Sequence, residues 1–318
     1  MISPRQSRKK IVRAFALALL ATTSAHAAPP AGSLNICVVH NNADHPSITA
    51  IVKGMNDEGA IYGANINYFD PAFDPQKQVA MIEDCIARKP DVLVVNAVDP
   101  AAVVPALKKA YDAGIPVIMQ NSDTNNAGHA YAKTFVGTQS YDQGYAVGQM
   151  IAKALNGKGN LVVIMGKPGQ IDSTQRLDGA KAAFADAKAD IKILATQPAD
   201  WSKDKALTVM QDLLTRYPKI DAVFGEDDPM ALGALQAIKA AGVNDIKVFG
   251  VNGNKDAFQA IKAHEMYGTA LQLSYLIGVY TVRAAYDIVQ HRLVPPKILA
   301  PTAPVTPDNI DQWQSQAW

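Results

Sequence analysis

The sequence is poor in the residues that build reactive centres. It has two cysteines and six histidines among 318 residues, and the histidines show no paired spacing typical of a metal site. It also lacks a Gly-x-Ser-x-Gly elbow, a Gly-x-Gly-x-x-Gly turn after the first strand candidate and a Gly-Lys-Ser/Thr phosphate loop. These absences argue against the common hydrolase, dinucleotide-binding and nucleotide-hydrolysing classes. We expect no catalytic residue, no metal and no cofactor.

Long hydrophobic runs are also lacking, apart from one near the N-terminus. The apolar run from Ala14 to Ala21 follows five bases, and the small residues Ala25 and Ala27 come after it. This pattern predicts a signal peptide over residues 1–27, cleaved after Ala27, and export to the periplasm. The alternative, a membrane anchor, needs roughly 20 apolar residues. Because no later stretch is apolar enough to cross a membrane, we expect a soluble mature protein.

Neither sign of charge dominates the chain. Removing residues 1–27 leaves 291 residues with 25 Lys and Arg against 29 Asp and Glu, a formal charge of about −4. A mildly acidic chain without basic blocks does not suit nucleic acid, so we expect no nucleic-acid partner. Its length exceeds what one small core organises, which predicts two lobes. We expect a monomer.

The two cysteines are too few for a disulfide framework. Cys37 lies in an apolar strand candidate and Cys85 on a helix candidate that would cross over that strand. Export permits a disulfide, and pairing is geometrically feasible. We favour the alternative, two buried thiols, because free cysteine is among the most buried residue types.

Short runs rich in Val and Ile alternate with helix-length amphipathic segments, the signature of βαβ units around a parallel sheet. The predicted strands are Leu34–Val39, Asn65–Phe69, Val92–Val95, Pro116–Met119, Leu161–Met165, Ile191–Ala195, Ala222–Phe224, Lys247–Val251 and Thr269–Leu273. Gly63, Gly114 and Gly242 each follow a helical stretch and are predicted to end it in the left-handed conformation. The segments 91–114 and 221–242 also repeat one pattern of strand, polar turn, Asp-Pro, helix and glycine. This repeat favours two similar lobes.

Polar residues follow the predicted strands, at the sheet edge where ligands bind in open parallel sheets. They are His40, Asn41, Asn42, Asn96, Asp99, Gln120, Asn121, Ser122, Asp227, Asp228, Asn252 and Gln272. Amides and carboxylates suit a hydroxyl-rich ligand because they donate or accept in fixed directions. For Asp99 and Asp228, each before a proline, we favour a helix N-cap.

Four motifs in order resemble the ribose-binding branch of the type I periplasmic binding proteins. The motifs are 113–117 (AGIPV), 197–201 (QPADW), 224–233 (FGEDDPMALG) and 248–253 (VFGVNG). The resemblance covers almost the whole mature chain. It implies an α/β fold of two Rossmann-like lobes joined by three crossovers, a small ligand enclosed at the hinge, and delivery to the membrane permease of an ABC transporter. We expect the crossovers near Gly137, near Gln272 and around residues 300–303.

The implied lobes are residues 33–137 plus 273–302 and residues 138–272 plus 303–318. The implied function is the binding of a small sugar or polyol, with a chemoreceptor as a second partner left open. An enzyme on the same fold and a binding protein for a non-sugar polar metabolite remain alternatives. The effector domain of a repressor shares the fold by resemblance, but it would need a DNA-reading helix pair, and this chain has a predicted signal peptide instead.

The resemblance also implies ligand contacts, which fall on Asn96, Asn121, Arg176, Trp201, Asp227, Asn252 and Gln272. The polar strand-end residues add His40, Asn41 and His45 as candidates. Arg176 offers a planar fork of donors and Trp201 a flat apolar face, against the alternatives of a surface salt bridge and core packing.

Two departures separate this chain from the ribose-binding pattern. A Phe pair in the first loop is replaced by His45-Pro46-Ser47-Ile48, and an Asp-Arg pair by Asn121-Ser122. One stacking face and one charged pair are therefore expected to be missing. The departures favour a differently shaped sugar, a linear polyol or another small polar metabolite over ribose.

Overall fold

The computed structural model describes residues 34–318. The predicted signal peptide at residues 1–27, with its cleavage after Ala27, lies outside the described residues. Within residues 34–318, no helix has both the length and the apolar character needed to cross a membrane.

Helices and strands alternate along almost the whole described chain. The strands are β1 (Asn35–Val39), β2 (Asn65–Phe69), β3 (Val92–Val95), β4 (Val117–Gln120), β5 (Thr134–Gly137), β6 (Lys158–Met165), β7 (Asp190–Pro198), β8 (Ala222–Gly225), β9 (Lys247–Asn252), β10 (Gly268–Leu271), β11 (Lys297–Leu299) and β12 (Pro304–Val305). The helices are α1 (Pro46–Tyr62), α2 (Pro75–Ala87), α3 (Val104–Asp112), α4 (Ser140–Ala154), α5 (Ile171–Asp186), α6 (Lys203–Arg216), α7 (Asp228–Ala240), α8 (Lys255–Lys262), α9 (Ser274–Val289) and α10 (Ile310–Trp313).

The strands form two six-stranded sheets, one in each lobe. The first has the order β11-β5-β4-β3-β1-β2, and all of its strand pairs are parallel. The second has the order β12-β10-β9-β8-β6-β7, in which β12 alone is antiparallel to its neighbour. The central strands β3 and β8 are buried along their whole length, as parallel strands covered on both faces should be. The predicted α/β class with two parallel-sheet lobes is confirmed.

The chain passes three times between the two sheets. It leaves the first sheet after β5, returns to it through α9 after β10, and crosses again between β11 and β12. The three strands β5, β11 and β12, which flank these passages, were not predicted. Strands β11 and β12 have three and two residues, too few to show a hydrophobic period, and β5 (TFVG) lacks the unbroken apolar run that marks β3 (VLVV).

Local chemistry sets several helix ends. Gly63 ends α1 with a φ of 61°, and Gly114 and Gly242, just beyond α3 and α7, have φ values of 75° and 66°. These left-handed conformations confirm the predicted stops, because glycine adopts them without a steric penalty.

Cys37 and Cys85 form a disulfide, so the favoured interpretation of two buried thiols is wrong. Both residues are fully buried, Cys37 on β1 and Cys85 on α2. Helix α2 covers β1 and brings the two Cα atoms to 5.9 Å, within the normal range for a disulfide. Burial alone did not separate the two alternatives, because both place the sulfurs in the core.

Candidate functional site

A cavity lies where the carboxyl ends of the two sheets face each other. Eight of the ten predicted ligand contacts line it: Asn41, His45, Asn121, Arg176, Trp201, Asp227, Asn252 and Gln272. Asn41, His45 and Asn121 follow strands of the first sheet. The others belong to the second-sheet part of the chain or to the crossover after β10. The cavity is therefore walled by both lobes.

Arg176 is a buried residue of α5, so the alternative of a surface salt bridge is wrong. Its Nε and Nη2 donate to Oε1 of Gln143 at 3.2 and 2.9 Å, and its Nη1 donates to the carbonyl oxygen of Glu226 at 2.5 Å. Nη2 also donates to Oε1 of Gln272 at 3.2 Å. These neutral partners hold the guanidinium plane in one orientation beside the cavity.

Trp201 lies flat against the backbone of Gly166. A Cβ atom at position 166 would stand 2.0 Å from a ring carbon of Trp201, so the close approach requires glycine there. The indole N–H donates to Oε1 of Gln170, and the Arg176 Cζ lies 5.5 Å from the ring centroid. The ring is half-buried, with part of it facing the cavity.

Two adjacent aspartates, Asp227 and Asp228, follow β8. Asp227, rather than Asp228, is the N-cap of α7, because Asp227 is extended and its Oδ1 accepts from the Met230 N–H at 2.8 Å. The predicted N-cap at Asp228 is thus wrong. The Asp228 carboxylate accepts from the N–H groups of Gly253 and Asn254 at 2.7 and 2.8 Å and from the Thr269 hydroxyl at 2.7 Å.

The predicted helix N-cap at Asp99 is also wrong, because α3 begins at Val104 and its N-cap is Val103. The Asp99 carboxylate instead accepts from the N–H groups of Ala101 and Ala102 in the turn before the helix. Its role is local and structural.

Asn252 and Gln272 offer polar groups to the cavity. The Oδ1 of Asn252 is buried and has no hydrogen-bond partner within the described part of the protein. The Nε2 of Gln272 donates to Oδ1 of Asn121 at 3.0 Å, which joins the crossover after β10 to the first lobe. Unpaired buried acceptors are costly, so the Asn252 amide suits a ligand donor.

Unusual backbone conformations gather at this cavity. Four lining residues other than glycine have positive φ: Phe73 (61°), Asn121 (61°), Trp201 (62°) and Asn252 (122°). Asparagine tolerates the left-handed region, whereas large side chains adopt it at a cost of roughly 1–2 kcal/mol. Such strain clusters at binding sites.

The structure does not place the predicted contacts His40 and Asn96 at the cavity. The N–H of His40 donates to the Phe69 carbonyl at 3.0 Å, so the sheet pairing extends beyond β1, and the buried imidazole stacks on Tyr68 at 5.5 Å. Burial lowers the pKa of His40 to about 4. Asn96 is fully buried, and its Oδ1 accepts from the Ser122 N–H at 3.2 Å. Both His40 and Asn96 are buried behind the residues that line the cavity.

Five further residues line the cavity and were missed: Ser47, Ile48, Phe73, Gln170 and Asp172. Ser47 and Ile48 stand next to the predicted His45, whose neighbourhood was the available signal. Gln170 and Asp172 lie at the start of α5, and Asp172 accepts hydrogen bonds from the hydroxyls of Ser122 and Ser140. Phe73 brings an aromatic side chain to the cavity from the loop between β2 and α2. The aromatic pair of the ribose-binding pattern lies instead in the first loop, where this chain has His45-Pro46-Ser47-Ile48.

Two buried carboxyl groups lie behind the second-lobe wall. Burial raises the pKa of Glu226 to about 8, although the Ser173 hydroxyl and the Gly166 N–H donate to this carboxyl group. Burial likewise raises the pKa of Asp228 to about 7, opposed by its three donors. These groups brace Gly166 and Gly253, the neighbours of Trp201 and Asn252.

Known proteins resemble this chain in both sequence and architecture. The ribose import binding protein of Salmonella typhimurium is 33% identical over 285 residues, which cover 89% of this chain and 93% of the relative. The structure of an ABC transporter solute binding protein from Bacillus halodurans with bound myo-inositol has a TM-score of 0.84 and 28% identity, covering 90% of this chain and 99% of that one. One from Actinobacillus succinogenes with bound D-allose has a TM-score of 0.82 and 27% identity, covering 87% and 99%. Residues 36–293 match the family model described as a periplasmic binding protein domain, so the chain belongs to the periplasmic binding protein family.

Proposed function

We propose that this protein binds a small sugar or polyol between its lobes and presents it to the membrane permease of an ABC importer. The observation that carries the proposal is the cavity walled by both lobes, with polar groups from each. The relatives support the ligand class, because their names give ribose, myo-inositol and D-allose, all small and rich in hydroxyl groups.

The wall chemistry fits hydroxyl recognition. Asn121, Asn252 and Gln272 present amides that both donate and accept, while Asp227 accepts and Arg176 donates. Trp201 adds an apolar ring face. The similar proteins are binding proteins, and the enzyme alternative has no support from them.

Closure of the lobes would enclose the ligand. We place the lobes at residues 33–137 plus 273–302 and 138–272 plus 303–318, with the three crossovers as the hinge. Besides the contact of Gln272 with Asn121, Nε2 of Gln170 donates to the Val98 carbonyl at 3.2 Å across the cleft. A ligand that contacts both lobes has a higher affinity for the closed arrangement, so it shifts the population toward closure.

The cellular setting follows the same proposal. Cleavage after Ala27 would release the mature chain into the periplasm, where the permease is its partner. Membership of the periplasmic binding protein family supports this location. A chemoreceptor is a second candidate partner of the closed form.

The test is calorimetric titration of residues 28–318 with pentoses, hexoses, cyclitols and linear polyols, combined with solution scattering. We expect saturable binding of one molecule per chain, no consumption of the ligand, and a more compact particle at saturation. Absence of binding, or turnover of the bound compound, would contradict the proposal. Tight binding without compaction would contradict the closure step alone.

A further inference from the structure

Phe73 reaches the cavity from the loop between β2 and α2. This loop is fixed to the first lobe: the Phe73 N–H donates to the Asn41 carbonyl at 2.7 Å, and Asp70 Oδ1 accepts from the Ala72 N–H at 2.8 Å. Ala72 and Phe73 have φ values of 51° and 61°, so two successive residues are left-handed. The loop holds the Phe73 ring at the cavity wall at a conformational cost.

Lys167, from the second lobe, holds the same residue from across the cleft. Its ammonium donates to the Phe73 carbonyl at 2.7 Å and lies 5.3 Å from the centroid of the Phe73 ring. Lys167 itself is not part of the cavity lining. The contact joins the two lobes, so it exists when the cleft is closed and breaks when the cleft opens.

We infer that Phe73 is a ligand-contacting residue that determines specificity, that Lys167 is its positioning residue, and that the ligand is a ring-shaped hydroxylated molecule such as a pyranose or a cyclitol. The inference rests on the proposed function and narrows its ligand class. Phe73 of the first lobe and Trp201 of the second present two aromatic side chains to one cavity.

The physical reason is the shape of the two ligand types. A pyranose or cyclitol has a rigid ring with hydroxyl groups at its rim and C–H groups on its faces. Aromatic faces carry partial negative charge and attract such polarised hydrogens, while rim hydroxyls meet Asp227, Asn252 and Arg176. A linear polyol has no fixed apolar face, and it loses conformational freedom when it is ordered in the site.

The first experiment measures ring preference by calorimetry with myo-inositol, D-allose and linear D-sorbitol. We expect the better of the two ring compounds to bind at least 10-fold more tightly than sorbitol. Phe73→Ala should weaken the ring compound about 5- to 30-fold, the range typical of an aromatic contact at a binding hot spot, and should reduce its advantage over sorbitol. Phe73→Tyr should retain both the affinity for the ring compound and its advantage over sorbitol, because tyrosine keeps the aromatic ring.

The second experiment measures ligand dissociation by stopped-flow fluorescence, which Trp201 in the cavity wall should report. Lys167→Met keeps the length of the side chain but removes the cross-cleft hydrogen bond, so it should accelerate dissociation about 3- to 10-fold. Lys167→Arg should dissociate at close to the wild-type rate. Lys192→Met, on the exposed side of β7, is the matched control and should change nothing.

The thermal midpoint without ligand separates binding from folding, and it should stay unchanged in every one of these variants. Wild-type affinity in Phe73→Ala, or tighter binding of sorbitol than of both ring compounds, would overturn the inference and leave the proposed function standing. A wild-type dissociation rate in Lys167→Met would overturn the role of Lys167. Failure of wild-type protein to bind any sugar or polyol would overturn the proposed function and this inference with it.

Discussion

The Nε2 of His45 lies 2.9 Å from Oδ2 of Asp227, and this hydrogen bond joins the N-cap of α1 in one lobe to the N-cap of α7 in the other. The Ser47 N–H donates to Nδ1 of His45 at 3.3 Å, which leaves Nε2 as the donor to Asp227. A neutral imidazole in this tautomer is therefore sufficient for the contact.

Because the His45–Asp227 bond forms across the cleft, its loss should weaken the closed arrangement. We expect His45→Ala to raise the Kd for the best-bound sugar or polyol about 5- to 20-fold, equivalent to about 1–2 kcal/mol. Calorimetry gives the affinity, and scattering should show less compaction at a given ligand concentration. Unchanged affinity and compaction would show that the bond is incidental. His129→Ala, at an exposed site away from the cavity, is the control.

Trp201→Ala should weaken ligand binding by about 1–3 kcal/mol, as truncation of a binding aromatic commonly does. Gly166→Ala should have an effect in the same direction, because its Cβ would collide with the Trp201 ring and displace it. Both are measured by calorimetry, with the circular dichroism spectrum as a check of the fold. Wild-type affinity in Trp201→Ala would restrict the indole to packing against Gly166.

Stability should fall as the pH rises from about 6.5 to 8.5. The pKa of Glu226 is raised from 4.5 to about 8 and that of Asp228 from 3.8 to about 7, so the folded state binds more protons than the unfolded state in this window. The stability that protonation provides is present at low pH and is lost as the pH passes the folded-state pKa values.

The pKa of the buried His40 is lowered to about 4, so its titration raises the stability as the pH rises from 4 to 6.5. The measurements are therefore made above pH 6.5, where His40 is mostly neutral in both states. Urea unfolding at several pH values measures the slope, and Glu226→Gln should flatten it. A stability that rises with pH above 6.5 would contradict the protonation of these carboxyl groups in the folded protein.

Removal of the disulfide should destabilise the first lobe. We expect Cys37→Ser/Cys85→Ser to lower the free energy of unfolding by about 2–4 kcal/mol, because the bridge restricts the unfolded chain. Urea unfolding of the variant measures the loss, and the wild-type protein under reducing conditions should reproduce it. Labelling of both thiols in the oxidised, unfolded wild-type protein would contradict the existence of the bridge.

The parts of the fold that sequence predicts best are those fixed by local chemistry. Gly63 and Gly242 mark their helix ends because a left-handed residue there favours glycine, and β3 is recognisable from its unbroken run of buried apolar residues. Strand β11 has three residues and takes its place by pairing with β5, which is distant in the sequence. No local period could reveal it.

The candidate site divides in the same way. Asn121 directly follows β4 and Asn252 is the last residue of β9, and the edge rule for parallel sheets located both. His40 also follows a strand, but its N–H continues the pairing with Phe69 and the side chain turns into the core. Phe73 lies in a loop, and its approach to the cavity depends on the packing of the lobes. Its contact with Lys167 joins residues 94 positions apart, so no local sequence pattern could predict it.

The order of strands in the first sheet has a consequence for the order in which the lobes can be completed during synthesis. Strand β5 pairs with β4 on one side and with β11 on the other, yet the whole chain of the second sheet from β6 to β10 is made between β5 and β11. Until β11 emerges, an early-folded first sheet would present β5 as an open edge able to pair with another chain. Pairings between such distant segments form slowly. The topology itself therefore delays completion of the first lobe until nearly the whole polypeptide has been made.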